Sequence, residues 1–194
     1  TIGSAFSDVI SKSNMTLSSV ELLNEESVPK DAAAIIINAP QKDFNKKDAQ
    51  KVIDYLQKGG KAIIVGMHSE NEMPNFASIL DTYGVSLTTG PIADKDAQHY
   101  YNMGGPLYLL PNVNSSSYTG SLSGGYVYLP ISLGINYPQN STTDDTESTE
   151  ESKTTYTSLL DTSDDAVAKN NPNSMQDYGY EDGDDKGPFS VGLA

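Results

Sequence analysis

The stretch YLQKGGKAIIVG, residues 55–66, places two glycines and a lysine directly before an apolar run. A phosphate-binding P-loop needs G-x-x-x-x-G-K-[ST] between a strand and a following helix. Here Tyr55 stands at the position of the first glycine and Ala62 at that of the Ser or Thr, and the residues after Lys61 are typical of a strand. The stretch is therefore predicted to be the end of a helix followed by a strand, and a nucleotide-binding loop is excluded.

The segment before these glycines has the signals of a complete helix over 45–58. Asn45 is a typical N-cap with Asp48 three residues later, and Gly59 suits the left-handed conformation that ends many helices. One face is apolar at helical spacing: Ala49, Val52, Ile53 and Leu56. We expect this face to pack on a sheet.

The strands around this helix predict an α/β fold. The run AAAIIINAP (32–40) precedes the helix and is rich in β-branched residues, and MPNFASILDTYGVSL (73–87) repeats the helix-to-strand pattern. Strands near 34–38, 62–66 and 85–88 are therefore predicted to be parallel members of one three-layer, flavodoxin-like sheet. After residue 90 the sequence predicts short strands and long loops. Before residue 32 it predicts a helix over 4–13 and a weaker strand near 15–22.

Composition limits the classes of partner. The chain has 194 residues, which suits a single α/β domain, and a formal net charge of −14 with no arginine. With no basic surface, nucleic acid and anionic lipid surfaces are excluded as direct partners. The absence of cysteine removes disulfides, thiolate metal sites and cysteine nucleophiles.

Two further expectations concern the organisation of the chain. QNSTTDDTESTEESK (139–153) is acidic, low in complexity and without apolar anchors, so it is predicted to be a mobile loop. The sequence opens Thr1-Ile2-Gly3 and holds no signal peptide or membrane span. We expect the chain to be excised from a longer membrane protein.

SVPKDAAAIIINAPQKDFNKKDAQKVIDYLQKGGKAIIVG (27–66) resembles the extracytoplasmic domain of GldG-type proteins, the auxiliary subunits of bacterial ABC transport systems associated with gliding motility. LLDTSDDAVAK (159–169) and DGDDKGPFSVGLA (182–194) are similar to later blocks of that family. The resemblance implies a domain held at the bacterial cell membrane by segments outside this chain and facing the extracytoplasmic side. It also implies an ABC permease and ATPase as partners.

The same resemblance implies a core similar to class I glutamine amidotransferases, in which a cysteine nucleophile follows a strand. The corresponding turn here is VGMHSE (65–70), where Met67 or His68 occupies the region of the nucleophile. A thioether cannot be deprotonated to attack a carbonyl, so this cysteine chemistry is excluded. His68 and Ser69 are adjacent in sequence and do not readily form a serine–histidine pair. We therefore predict a protein that is not an enzyme and carries no cofactor.

A ligand is expected at the carboxyl ends of the predicted parallel strands, where open α/β sheets bind their ligands. Polar side chains follow the first two strands at these ends. The predicted ligand-binding residues are Asn38, Gln41, His68, Ser69 and Glu70.

Two groups of residues could supply ligands for a metal ion, and neither is the favoured interpretation. His68, Glu70, Asp94, Asp96 and His99 offer nitrogen and oxygen ligands if their loops meet, but their spacing matches no zinc signature. EDGDDKG (181–187) offers carboxylates for calcium but lacks the order of an EF-hand loop. Solvated polar loops and an acidic turn are the favoured interpretations, and no metal is predicted.

Three functions remain open at this point. The favoured one is a non-catalytic auxiliary domain of an ABC transport system that recognises substrate or organises the complex. The second is a carbohydrate- or peptide-binding module. Six tyrosines could form its stacking surface, although tyrosines in β-rich segments also form half-buried cross-strand pairs with a purely structural role. These tyrosines are Tyr100, Tyr101, Tyr108, Tyr118, Tyr126 and Tyr128. The third is a metal-assisted hydrolase using the His, Glu and Asp loops.

Overall fold

The computed structural model describes residues 3–122, 124–138, 154–171 and 178–194. The predicted mobile loop at 139–153 lies outside the described residues. The chain forms two compact units, the first comprising Thr1–Gly66 with Asn71–Thr82 and the second Met67–Glu70 with Tyr83–Ala194. Among the described residues, no helix combines the length and apolar character needed to cross a membrane.

The first unit is a small α/β arrangement. Its elements are α1 (Ser4–Lys12), a 3-10 turn (Leu22–Asn24), β1 (Ile35–Asn38), α2 (Lys46–Gln57), β2 (Ala62–Val65) and α3 (Pro74–Asp81). β1 and β2 are parallel, with Ile36 paired to Ile63. The predicted strand–helix–strand order and the parallel pairing of its two strands are confirmed, whereas the strand predicted near 15–22 is wrong because no strand forms there.

α2 forms as the sequence signals predict. The backbone N–H of Asp48 donates to Asn45 Oδ1 at 2.9 Å, which satisfies one of the free N–H groups at the start of the helix. Gly59 has φ +86°, a conformation that glycine adopts without a steric penalty. Val52 and Leu56 are buried on the apolar face of the helix. The predicted Asn45 cap is thus confirmed.

The second unit is built on antiparallel strands. Its elements are β3 (Ser86–Asp94), β4 (Tyr108–Leu109), β5 (Asn112–Val113), a 3-10 turn (Gly120–Leu122), β6 (Leu129–Pro130), β7 (Leu133–Asn136), β8 (Ser158–Asp161), β9 (Ala166–Ala168), β10 (Asp185–Lys186) and β11 (Ser190–Leu193). Seven strands form one sheet in the order β10-β9-β3-β7-β11-β8-β5, and β4 and β6 form a separate antiparallel pair. Its core includes Ile92, Leu109, Ala168 and Phe189.

The predicted three-layer parallel sheet, flavodoxin-like or glutamine amidotransferase-like, is wrong. Among the strands of the described residues, only β1 and β2 are parallel, and the third predicted strand, 85–88, is instead the start of β3. β3 runs on to Asp94 and pairs antiparallel with β7 and β9. Locally, α3 followed by β3 resembles another α/β repeat. The strands that pair with β3, however, lie more than 40 residues further along the chain. Periodicity predicts whether a segment is a helix or a strand, but not which distant strand it pairs with.

Candidate functional site

The predicted ligand-binding residues fall into two groups, one in each unit. Asn38 ends β1 in the first unit, and the side-chain amide of Gln41 donates to the carbonyl of Ala39 at 3.2 Å. His68, Ser69 and Glu70 belong to the second unit. The ring of His68 is half-buried, and its Nδ1 is shielded from solvent without a hydrogen-bond partner among the described residues.

The proposed metal-binding carboxylates have other partners. Asp94 is fully buried at the end of β3, where it accepts hydrogen bonds from Ser163 Oγ at 2.6 Å and from the backbone N–H of Ser163 at 2.8 Å. Asp184, in the acidic turn at 181–187, pairs with Lys169 Nζ at 2.6 Å. Within the described ranges, no three His, Asp or Glu side chains are grouped as a metal site would require.

A cleft of about 760 Å³ lies in the second unit, a size typical of small-molecule sites. Its described lining comes from the segment after β3, from the region of β5 and from the segment before β6. These residues are Ala97, Gln98, His99, Tyr100, Tyr101, Asn102, Leu110, Pro111, Asn112, Val113, Gly124, Gly125 and Tyr126.

Asp94 fixes the start of the first lining segment. Its Oδ1 accepts a hydrogen bond from the backbone N–H of Asp96 at 3.1 Å, and Asp96 Oδ1 accepts one from the backbone N–H of Gln98 at 2.9 Å. Further along, the N–H of Leu110 donates to the carbonyl of His99 at 2.7 Å, which joins the two lining segments. The backbone of this wall is therefore held by the end of β3.

The imidazole of His99 bridges two lining segments. Its Nε2 lies 3.2 Å from Asn112 Oδ1, and its Nδ1 lies 3.0 Å from Asp96 Oδ2 without the alignment of a hydrogen bond. The N–H of Gln98 and the nearby His99 lower the pKa of Asp96 below its ordinary value, with partial desolvation acting in the opposite direction. The lowered pKa keeps Asp96 a carboxylate, close to the ring of His99.

Aromatic side chains brace one side of the cleft. Tyr128 meets Tyr101 edge to face with ring centroids 5.9 Å apart and stacks on Tyr108 at 6.1 Å. Such pairs are favourable arrangements for aromatic rings. Tyr108 and Tyr128 thus support Tyr101, which lines the cleft, while Tyr126 is 88% exposed.

The described lining is rich in groups that form hydrogen bonds and stacking contacts. Amides, tyrosine rings and one histidine are present, but the described lining has no serine, threonine or cysteine that His99 could activate. Amides and tyrosines donate and accept hydrogen bonds and offer flat apolar faces. This composition offers hydrogen bonds and stacking surface to a polar ligand.

Sequence reasoning found part of this site. Of the six tyrosines considered for stacking, Tyr100, Tyr101 and Tyr126 line the cleft, Tyr108 and Tyr128 pack behind it as cross-strand neighbours, and Tyr118 is not among its described lining. Three lining amides were missed: Gln98, Asn102 and Asn112. Single amides in loops carry no motif, so only the folded chain identifies them.

The second unit is thus a β-rich, antiparallel unit with a cleft lined by tyrosines and amides. No family model matches the chain, and no curated protein matches it. A solved structure described as the mmIFT52 N-terminal domain is similar in fold, with a TM-score of 0.56 and 12% sequence identity over 85% of this chain and 68% of that chain. At this identity the likeness concerns the fold alone.

Proposed function

We propose that this chain is a non-catalytic recognition domain that binds a ligand in the cleft around His99 and Tyr126. The observation that carries the proposal is the composition of the cleft, where tyrosine rings and side-chain amides surround His99. Exposed aromatic surface such as Tyr126 costs solubility, and large exposed apolar groups often mark interaction sites.

The biological setting of the proposal comes from the GldG-type resemblance of residues 27–66, 159–169 and 182–194. In this setting the chain is the extracytoplasmic part of an auxiliary protein at the bacterial cell membrane. Its partners are an ABC permease and ATPase, reached through segments outside this chain. The cleft then recognises the transported substrate or organises the complex.

The test is co-purification from a mild detergent extract of cells that express the full-length protein with its genomic neighbours. We expect an ABC permease and ATPase to co-purify, and deletion of residues 1–194 with the flanking segments retained to impair transport more than assembly. The setting is wrong if neither partner co-purifies. The non-catalytic role is wrong if the purified chain turns over a substrate and His68→Ala or Glu70→Ala abolishes that turnover.

A second candidate is a carbohydrate- or peptide-binding module that acts without a transporter, and the same cleft favours it. The two candidates differ in their genomic setting. Flanking membrane segments in the full-length gene and ABC genes beside it support the auxiliary domain, whereas tandem cell-wall-binding repeats support the independent module.

A further inference from the structure

The geometry points to an uncharged oligosaccharide as the ligand of the cleft. This inference rests on the proposed recognition function and names its ligand class. Sugars present apolar C–H faces that stack on aromatic rings and a rim of hydroxyl groups that donate and accept hydrogen bonds. The cleft offers both kinds of partner in one place.

The first support is the arrangement of the tyrosines. Tyr126 is 88% exposed and Tyr101 is 44% exposed, so both present ring surface to solvent. Tyr101 is held in place by the edge-to-face contact with Tyr128. A braced ring loses little conformational freedom on binding, which favours stacking of a flat ligand.

The second support is that lining amides are not used by the fold. The side chains of Gln98 and Asn102 make no hydrogen bond within the described residues, although both line the cleft. Each amide offers two N–H donors and a carbonyl acceptor. Asn112, which already contacts His99, keeps further donor capacity. Neutral groups that both donate and accept match hydroxyl groups better than they match a charged ligand.

The third support is the charge around the cleft. None of the described lining residues is a lysine, and acidic residues far outnumber lysines in the described part of the second unit. A phosphate, sulfate or carboxylate ligand would have no cation there to pair with. The carboxylate of Asp96 lies 3.0 Å from His99 Nδ1 and would repel an anion placed beside that ring. An anionic glycan is therefore disfavoured relative to a neutral one.

A peptide is disfavoured by the edge of the sheet. β5 is the edge strand beside the cleft, and peptides commonly bind such edges by adding a strand. β5 has only two residues, and the preceding residue, Pro111, has no N–H. The N–H of Leu110, one residue earlier, already donates to the carbonyl of His99. The edge therefore lacks the row of free backbone groups that strand addition needs.

The experiment compares the 194-residue chain with variants on one array that carries neutral glycans, anionic glycans and peptides. Tyr126→Ala and Asn102→Ala change the cleft, and Tyr118→Ala is the matched control because Tyr118 is 67% exposed and is not among the described lining. We expect neutral glycans to bind the wild type and the control. Calorimetry with the strongest neutral tetrasaccharide should give a Kd weakened roughly five- to tenfold by Tyr126→Ala.

Three outcomes overturn the inference: no neutral glycan binds, anionic glycans or peptides bind more strongly, or Tyr118→Ala weakens binding as much as Tyr126→Ala. If a peptide binds and Tyr126→Ala abolishes that binding, the cleft is still the recognition site, but its ligand is not an oligosaccharide. Co-purification with an ABC permease and ATPase is read separately, so failure of the transport setting and failure of the ligand class are distinguishable. Far-UV circular dichroism of each variant checks that the fold is intact.

Discussion

The two compact units are stabilised by contacts of different range and polarity. In the first unit Asp48 bonds to Asn45 three residues away, and Asp43 reaches Asn75 across 32 residues. In the second unit Asp94 and Ser163 are 69 residues apart, and the N–H of Gly90 reaches Asn170 across 80 residues.

Burial differs as well. Lys169 and Asp94 are fully buried in the second unit, whereas β2 in the first unit leaves Ile63 and Val65 half-exposed. Parallel strands are ordinarily covered on both faces, so this pair is covered less than most. Both units contain contacts between distant segments, but those of the second unit span more of the chain and join fully buried polar groups. Single substitutions should therefore cost more in the second unit.

The largest effect is expected for Lys169→Met. Lys169 Nζ contacts Asp184 Oδ2 at 2.6 Å, and both side chains are shielded from solvent. The variant leaves a buried carboxylate without its cation, which costs about 3–5 kcal/mol. Urea unfolding followed by far-UV circular dichroism, with peptide-resolved hydrogen exchange at β9, measures the loss.

The exposed Lys186→Met is the control for this variant, since Lys186 only lies over the Tyr180 ring at 4.3 Å. The double variant Lys169→Met/Asp184→Asn removes both charges but keeps a side-chain oxygen for the backbone N–H groups of Asn170 and Glu181, so it should recover much of the stability. A double variant that is no more stable than Lys169→Met would contradict the explanation.

Gly90→Ala is expected to follow. A Cβ at position 90 would lie 1.7 Å from the carbonyl oxygen of Lys169 and 2.9 Å from the backbone nitrogen of Asn170. These are backbone atoms, so β3 and β9 must separate, at a cost of about 3 kcal/mol. Gly120→Ala is the control, because nothing lies within 4 Å of a Cβ there. Equal urea midpoints for the two variants would show that the close backbone approach is unimportant.

A smaller loss is expected for Asp43→Ala in the first unit. The carboxylate of Asp43 accepts hydrogen bonds from the backbone N–H groups of Phe76 at 2.8 Å and Asn75 at 3.1 Å, at the start of α3. Loss of such a cap costs about 1 kcal/mol. Hydrogen exchange should accelerate in α3 while β9 is unchanged. Faster hydrogen exchange in both α3 and β9 would show that Asp43 does not stabilise α3 alone.

The contribution of Asp43 should depend on pH in the acid range. Burial alone would raise its pKa, but hydrogen bonds from Phe76 and Asn75 outweigh burial and lower the pKa below the ordinary value of 3.8. A lowered pKa in the folded state means that the stabilisation is complete above 3.8 and is lost as the pH falls through the folded pKa. The stability gap between wild type and Asp43→Ala should therefore be constant from about pH 5 to 8 and close below 3.8. A difference in stability between wild type and Asp43→Ala that grows as the pH falls would show that folding does not lower the pKa of Asp43.

The smallest effect is expected for Tyr55→Phe. The Tyr55 hydroxyl accepts a hydrogen bond from the N–H of Lys61 at 3.2 Å and lies 3.3 Å from the Lys61 carbonyl. These long, partly exposed bonds contribute roughly 0.5 kcal/mol. Tyr83→Phe is the control, since the Tyr83 hydroxyl has no hydrogen bond among the described residues. If the thermal midpoint falls equally in both variants, the loss of stability comes from removing a tyrosine hydroxyl in general and not from the hydrogen bonds of Tyr55.

These comparisons explain how much the sequence could reveal. The cap at Asn45, the left-handed Gly59 and the apolar face with Val52 and Leu56 act within a few residues, so a linear pattern records them. The pairing of β3 with β7 and β9 depends on segments far along the chain, and its local pattern matched a parallel strand equally well. The linear pattern therefore predicted the capped helix and the parallel pair of the first unit, although not its lack of a strand near 15–22, and it predicted the wrong partners for β3 in the second unit.

The candidate site shows the same division. Tyr101 and Tyr126 could be proposed from their residue type, because tyrosine rings offer stacking surface, but the same reasoning also selected Tyr118, which is not among the described lining. Gln98, Asn102 and Asn112 come from separate loops and strands, and only the folded chain brings them to one cleft. The predicted residues Asn38 and Gln41 followed from a parallel-sheet edge that the fold does not contain in the expected form.

The placement of Asp94 has an evolutionary consequence. This buried carboxylate holds the backbone of the lining segment, whereas exposed residues such as Asn102 and Tyr126 contribute side chains to the cleft without joining the core. Selection for folding and selection for ligand preference then act on different positions. Under the proposed recognition role, descendants of this chain can drift toward new ligands by changing exposed residues of the cleft, provided that Asp94 is retained.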